Sequence, residues 1–293
     1  MSILVGYPPE SRGQGSLELG RLLARSAGLP MVVCCVIPDR WQSVGPGRQV
    51  DRDYESHLND MAHEALEHAR ETLGDIGVEV RYEAVTARSG SAGLLESVEK
   101  FGARMLVMGS SSHGTWGHVA LGSVTDRLLH SANVPVALSP RGYRSQPEAR
   151  VERVTVAVDG THSCHEVLWK AADVAADVGA KLRVVTFAVR RSVPPYEAGL
   201  EAEERVFAAW REESVQVVEQ ARASLAGKGG QVPELHVAEG RSWAEALDEP
   251  GWDEGDVLVI GSSAHRPLLA RVFLGSTATR IIRHSPVPVV VVP

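Results

Sequence analysis

Along the first half of the chain, short runs of β-branched and aliphatic residues alternate with longer stretches in which apolar residues recur every three or four positions. The runs at 3–5, 31–37, 78–85, 105–109 and 134–139 have the length and composition of buried strands. The stretches 16–26, 53–73, 91–101 and 123–131 have helical spacing. The second half repeats the alternation, with strands expected at 154–158, 182–189, 234–237, 256–261 and 287–292. Strands alternating with helices predict parallel βαβ units with right-handed crossovers and helices on both faces of the sheet. The expected class is α/β, a Rossmann-like, doubly wound five-stranded parallel sheet, occurring twice.

The halves also match in detail. Met105-Leu-Val-Met-Gly-Ser-Ser111 returns as Val257-Leu-Val-Ile-Gly-Ser-Ser263, and Leu121-Gly-Ser-Val-Thr-Asp-Arg-Leu-Leu-His130 as Leu274-Gly-Ser-Thr-Ala-Thr-Arg-Ile-Ile-Arg283. The final strands match too, as Val134-Pro-Val and Val287-Pro-Val. Two copies are a tandem duplication rather than a solenoid. The domains are placed at 1–141 and 151–293, joined through the Arg- and Pro-rich stretch 140–150, which reads as an exposed connector carrying solvated charge. Pro/Gly-containing loops are expected after the second strand of each copy, at 41–50 and 190–199.

Composition narrows the function classes. The chain has 293 residues, 44% hydrophobic and 23% charged, enough for two cores. A net charge of -7 argues against a nucleic-acid partner, and 5% aromatic content does not favour base-stacking platforms. The N-terminus has no basic segment leading into an apolar run and no long apolar stretch occurs, so neither secretion nor a membrane partner is expected. Cys34, Cys35 and Cys164 read as buried thiols of a reducing cytoplasm.

In open α/β sheets ligands bind beyond the carboxyl ends of the strands, where the strand order reverses. The fourth strand of the first copy runs into Gly109-Ser110-Ser111-Ser112-His113-Gly114, and Gly122-Ser123 then opens a helix. Glycine at a strand exit and serine at a helix N-terminus suit phosphate oxygens, through free amides and the positive end of the dipole. His113 is open between phosphate contact and solvent.

Glycine, two residues, glycine, nine residues, Gly-Ser/Thr, then a helix and a Val-Pro-Val strand resembles the universal stress protein family in tandem form. The resemblance implies strand order 3-2-1-4-5, an adenine nucleotide alpha hydrolase-like fold, a cytoplasmic stress role, and branches that do or do not bind ATP. It also implies pairing through fifth strands, so the copies are expected to form an intrachain pseudo-dimer. A homodimer of the whole chain is left open.

Each copy departs from the family pattern. In the first, Ser112 replaces the second glycine and Pro8 stands where nucleotide-binding relatives carry an aspartate near adenine and ribose. The second copy has that residue as Asp159, but its loop, Gly261-Ser262-Ser263-Ala264 to Gly275-Ser276, lacks the second glycine and contains Pro267. The expected adenine-nucleotide site is therefore weak, centred on the first copy, with the second as a degraded counterpart.

Other constellations read as structure. Gly13-Gln-Gly15-Ser-Leu-Glu18 is an incomplete dinucleotide fingerprint, and no P-loop occurs. His63 and His68 are spaced off one helical face, and His162-Ser-Cys-His165 lacks a distant further donor, so no metal is expected. Trp116 and Phe273 read as apolar packing of the loops onto the sheet. No nucleophile–base or carboxylate pair emerges, so the chain is expected to be a binding or interaction module rather than an enzyme. The alternatives are an ATP-binding sensor with slow hydrolysis, a scaffold with empty pockets, and an oxidoreductase using Gly13.

Overall fold

The computed structural model describes residues 1–9, 13–39, 48–160, 163–189, 200–226, 231–262 and 275–293. The expected loops at 41–47 and 190–199, His162, Ser263, Ala264, Pro267 and Phe273 lie outside the described residues. The chain divides into Met1–Arg150 and Val151–Pro293.

In the first unit, β1 is Ser2–Gly6, α1 Gln14–Ala27, β2 Met31–Pro38, α2 Arg48–Leu73, β3 Val80–Ala87, α3 Gly90–Lys100, β4 Ala103–Met108, α4 Ser123–Ser131 and β5 Val136–Leu138. In the second, β6 is Arg153–Ala157, α5 Ser163–Val178, β7 Lys181–Val189, α6 Leu200–Ala226, β8 Glu234–Gly240, α7 Trp243–Asp248, β9 Asp256–Gly261, α8 Ser276–His284 and β10 Val289–Val292. Strand order is β3-β2-β1-β4-β5 in one unit and β8-β7-β6-β9-β10 in the other, and the neighbours within each pair in parallel.

The copies repeat single hydrogen bonds. Leu106 N–H donates to Pro135 O at 2.9 Å and Leu258 N–H to Pro288 O at 2.9 Å. Tyr7 N–H donates to Cys34 O at 2.9 Å and Val158 N–H to Val185 O at 2.9 Å, which makes Pro8 the counterpart of Asp159.

Where element bounds differ from the sequence reading, pairing and propensity explain the shift. β3 ends at Ala87 rather than 85 because it pairs with β2 along the whole of Met31–Pro38. α2 starts at Arg48, so residues 48–50 of the expected loop are helical; Arg and Gln are good helix formers but leave no apolar period to read. β5 is only Val136–Leu138, since Pro135 has no amide to donate.

The core is built on the strands. All five residues of β1 are buried, and Leu258 at the centre of β9 is 0% exposed. Fully burying a side chain of this kind contributes about 1.5–3 kcal/mol. α1 sits close to β1 because Gly20 has no side chain: a Cβ there would lie 2.5 Å from Val5 Cγ2.

The amino-terminal edge of the second sheet holds a buried charge network. Arg183 on β7, 1% exposed, donates from Nε to Thr155 Oγ1 at 3.0 Å and from Nη1 to Pro250 O at 2.9 Å, and its guanidinium lies 4.7 Å from the Trp252 ring centroid. Asp256, 2% exposed, accepts from Arg153 Nη2 at 2.6 Å and from Asp253 N–H at 3.0 Å. Burial lowers the pKa of Arg183, with the Arg153 charge acting in the same direction and Asp256 opposing both.

Candidate functional site

A cavity of about 290 Å³ opens in the second unit at the carboxyl ends of β6 and β9, where the strand order reverses. Asp159, just past β6, reaches its rim; Gly261 and Ser262 come from the end of β9, and Gly275 and Ser276 from the start of α8. All five second-copy residues expected from the sequence line this one space. Gly261 packs tightly against α5, where a Cβ would meet Val167 Cγ2 at 2.7 Å. The Ser262 hydroxyl is buried with no hydrogen-bond partner among the described residues, although its amide donates to Val292 O at 2.9 Å.

α8 begins without a side-chain cap, and its first turn carries no acidic residue. The first amides of a helix have no intrahelical acceptor, so this end offers donors and the positive pole of the dipole. The cavity lining is also apolar and aromatic: Phe187 from β7 and Trp243 from the start of α7 belong to it, with ring centroids 6.2 Å apart.

The corresponding loop of the first copy closes on itself. Ser111 N–H donates to Ala120 O at 2.8 Å, and Ala120 N–H donates to Ser110 Oγ at 2.7 Å. Ser110 is thereby used inside the loop. Ser112 and His113 are exposed, with Ser112 Oγ 3.4 Å from His113 Nδ1. Gly109 and Gly122 flank the loop without positive φ; the glycine that needs it is Gly117, at 79°. Ser123 opens α4, whose N-cap Gly122 provides no side-chain bond and whose first turn contains Asp126. A carboxylate there opposes an incoming anion. The equivalent position of α8 is Thr279, so the two helix starts differ in charge in favour of the second copy. His118, not singled out from the sequence, has a buried Nδ1 with no partner among the described residues.

One sequence expectation is corrected. Trp116 does not pack onto the sheet: it is 71% exposed and lies over Gly142, with the Arg141 guanidinium 5.9 Å from its ring centroid. Glycine at 142 leaves a flat surface on which the ring rests. The stretch 141–150, expected as an exposed connector, keeps Arg144, Glu148 and Arg150 exposed and is also tied to the first unit by hydrogen bonds. Arg141 exchanges backbone bonds with the loop, accepting from Gly117 N–H at 3.0 Å and donating to His118 O at 2.9 Å, while its side chain donates to Gly114 O. Arg144 donates to Gln14 and Arg25 pairs with Glu148. Arg21 donates to Ser145 O at 2.6 Å.

The remaining candidates fall into structural places. Gly13 is the N-cap of α1 and packs on Tyr7 and Pro8, and Gly15 packs on Ser139. His63 and His68 are exposed on α2. His165 Nδ1 lies 3.2 Å from Ser224 Oγ, beside Trp169. Among the described residues no three His, Cys, Asp or Glu side chains cluster as metal ligands, and no helix is long and apolar enough to cross a membrane.

The sequence reading missed Phe187 and Trp243. One signal lay in the repeat: Arg88-Ser89-Gly90 and Arg241-Ser242-Trp243 are equivalent, and Ser89 and Ser242 cap their helices alike, each accepting an amide at 3.2 Å.

A sequence model of the universal stress protein family matches residues 1–140 and again 150–293. Universal stress proteins of Mycobacterium bovis and Mycobacterium tuberculosis are each 38% identical to the chain over 296 aligned residues, covering 100% of this chain and 100% of theirs. Among solved structures, a universal stress protein from Archaeoglobus fulgidus superimposes with a TM-score of 0.64 at 21% identity, over 99% of this chain and 97% of that one. That likeness is one of fold.

Proposed function

Because the chain belongs to the universal stress protein family through both of its halves, we propose that it acts in a cytoplasmic stress response as a non-catalytic binding and interaction module that takes up an adenine nucleotide such as ATP weakly. The observation that carries this reading is the second-unit cavity, which gathers Asp159, Gly261, Ser262, Gly275 and Ser276 around one space. The carboxylate suits ribose hydroxyls or an exocyclic amine. The Ser262 hydroxyl, with no partner among the described residues, and the uncapped start of α8 suit phosphate oxygens. The sequence favoured the first copy; the helix starts support the second, since α4 carries Asp126 in its first turn and α8 carries no acidic residue there.

The test is to denature the purified protein, look for released adenine nucleotide, and titrate ATP by calorimetry. Binding that weakens in Asp159→Ala and Ser262→Ala is the expected result. No release and no heat at millimolar ATP would overturn the reading in favour of a scaffold with empty pockets. Phosphate release from bound ATP above the buffer rate would favour the sensor with slow hydrolysis over the non-catalytic module. The fifth-strand pairing implied by the resemblance belongs to the same proposal and is checked by engineered cysteine pairs, and a homodimer of the whole chain, left open by the sequence, is checked by solution mass.

A further inference from the structure

The second-unit cavity contains a feature that neither the repeat nor the phosphate loop requires. α3 and α7 are equivalent helices with the same serine cap, yet the first helical residue is Gly90 in one and Trp243 in the other. At Gly90 the neighbouring space is taken by Val124 of α4, whose γ-carbon would lie 3.4 Å from an added Cβ. The position equivalent to Val124 is Thr277, on the cavity wall. One copy therefore folds with no side chain where the other places an indole, so the fold does not demand that ring.

Trp243 is half-buried and lines the cavity with Phe187, their planes inclined at 55°. Two aromatic rings among apolar lining residues such as Val167 and Ile260 offer π-faces to a flat ligand, and Asp159 and the Gly-Ser pairs line the same space. We propose that Trp243, supported by Phe187, is the specificity-determining residue of this cavity, providing the stacking face that selects ligands with a planar heteroaromatic base over base-free phosphates. This rests on the nucleotide-binding reading of the same cavity. Ring stacking supplies affinity for the base, and amides and hydroxyls supply affinity for phosphate, so the two contributions are separable.

The experiment titrates ATP, AMP and inorganic tripolyphosphate into the full-length protein and into Trp243→Leu and Trp243→Phe, with thermal melts confirming that each variant is folded. Leucine keeps apolar bulk without a π-face; phenylalanine restores one. ATP and AMP are expected to bind Trp243→Leu about tenfold more weakly or worse, with tripolyphosphate unchanged and most of the loss recovered in Trp243→Phe. Wild-type binding of ATP with no loss in Trp243→Leu would overturn the stacking role alone. Equal loss of ATP and tripolyphosphate would overturn it as well, by showing a merely structural residue. If the wild-type protein binds neither ATP nor AMP, the nucleotide reading falls and the stacking role with it.

Discussion

The indole of Trp116 lies over Gly142, so the tip of the first-copy loop rests on the segment that leaves the first domain. Gly142 holds φ at 77°, a region that costs other residues about 1–2 kcal/mol, and an added Cβ would also strike the ring. Gly142→Ala is expected to lower the urea midpoint and to alter Trp116 emission. In a Trp116→Ala background the same substitution should cost less, because only the backbone penalty remains; an equal cost in both backgrounds would refute the contact.

Removing Asp256 leaves Arg183 and Arg153 facing each other without their shared carboxylate. Breaking a buried ion pair from one side typically costs about 3–5 kcal/mol, so Asp256→Ala should be strongly destabilising. Arg183→Met should cost less, since it removes one of the two cations that Asp256 neutralises and keeps apolar contact with Trp252. Denaturation of the two single variants and the double variant measures their coupling, and additive losses would argue against a network.

Burial raises the Cys34 thiol above its ordinary value of 9.0, and the Ser97 hydroxyl at 3.4 Å opposes that shift. The folded chain thus holds this proton to higher pH than the unfolded chain. The contribution to stability is fully present below pH 9.0 and is lost as pH rises through the folded value. Urea midpoints measured at about pH 8 and about pH 10 should fall with pH, and fall less in Cys34→Ala. Cys34 and Cys35 are 0% exposed, so their alkylation in the native protein should wait on unfolding.

Arg21, 8% exposed, ties α1 to the stretch after Pro140 through Ser145 O and Gln146 O. Arg21→Ala should speed tryptic cleavage between Arg141 and Arg150 while leaving the two domains intact. Unchanged cleavage kinetics would show that the other bonds hold this stretch without it.

Much of the fold was legible because strand and helix periods are local properties of the chain. The duplication was equally open, as was the spacing that brings Gly261 and Gly275 to one place. Element bounds were less so: the start of α2 carries no apolar period, and the end of β3 depends on a partner strand. The character of the site was hidden for a different reason. Phe187 lies on β7 and Trp243 on α7, and no pattern along the chain indicates that they line one cavity with Asp159. The misplacement of Trp116 has the same origin, because an aromatic residue in a loop looks the same in sequence whether it meets the sheet or a glycine twenty-odd residues away.

The order of hydrophobic and polar residues determined two doubly wound α/β domains and the location of their loops, since burial of alternating elements against a sheet has few solutions. Only the tertiary structure decided that Asp159, Gly261, Ser262, Gly275 and Ser276 line one cavity with Phe187 and Trp243. The same holds for the use of the serines: the Ser110 hydroxyl closes its own loop, whereas the Ser262 hydroxyl is buried at the cavity with no partner among the described residues. Such differences arise from contacts between distant segments, which composition and spacing do not encode.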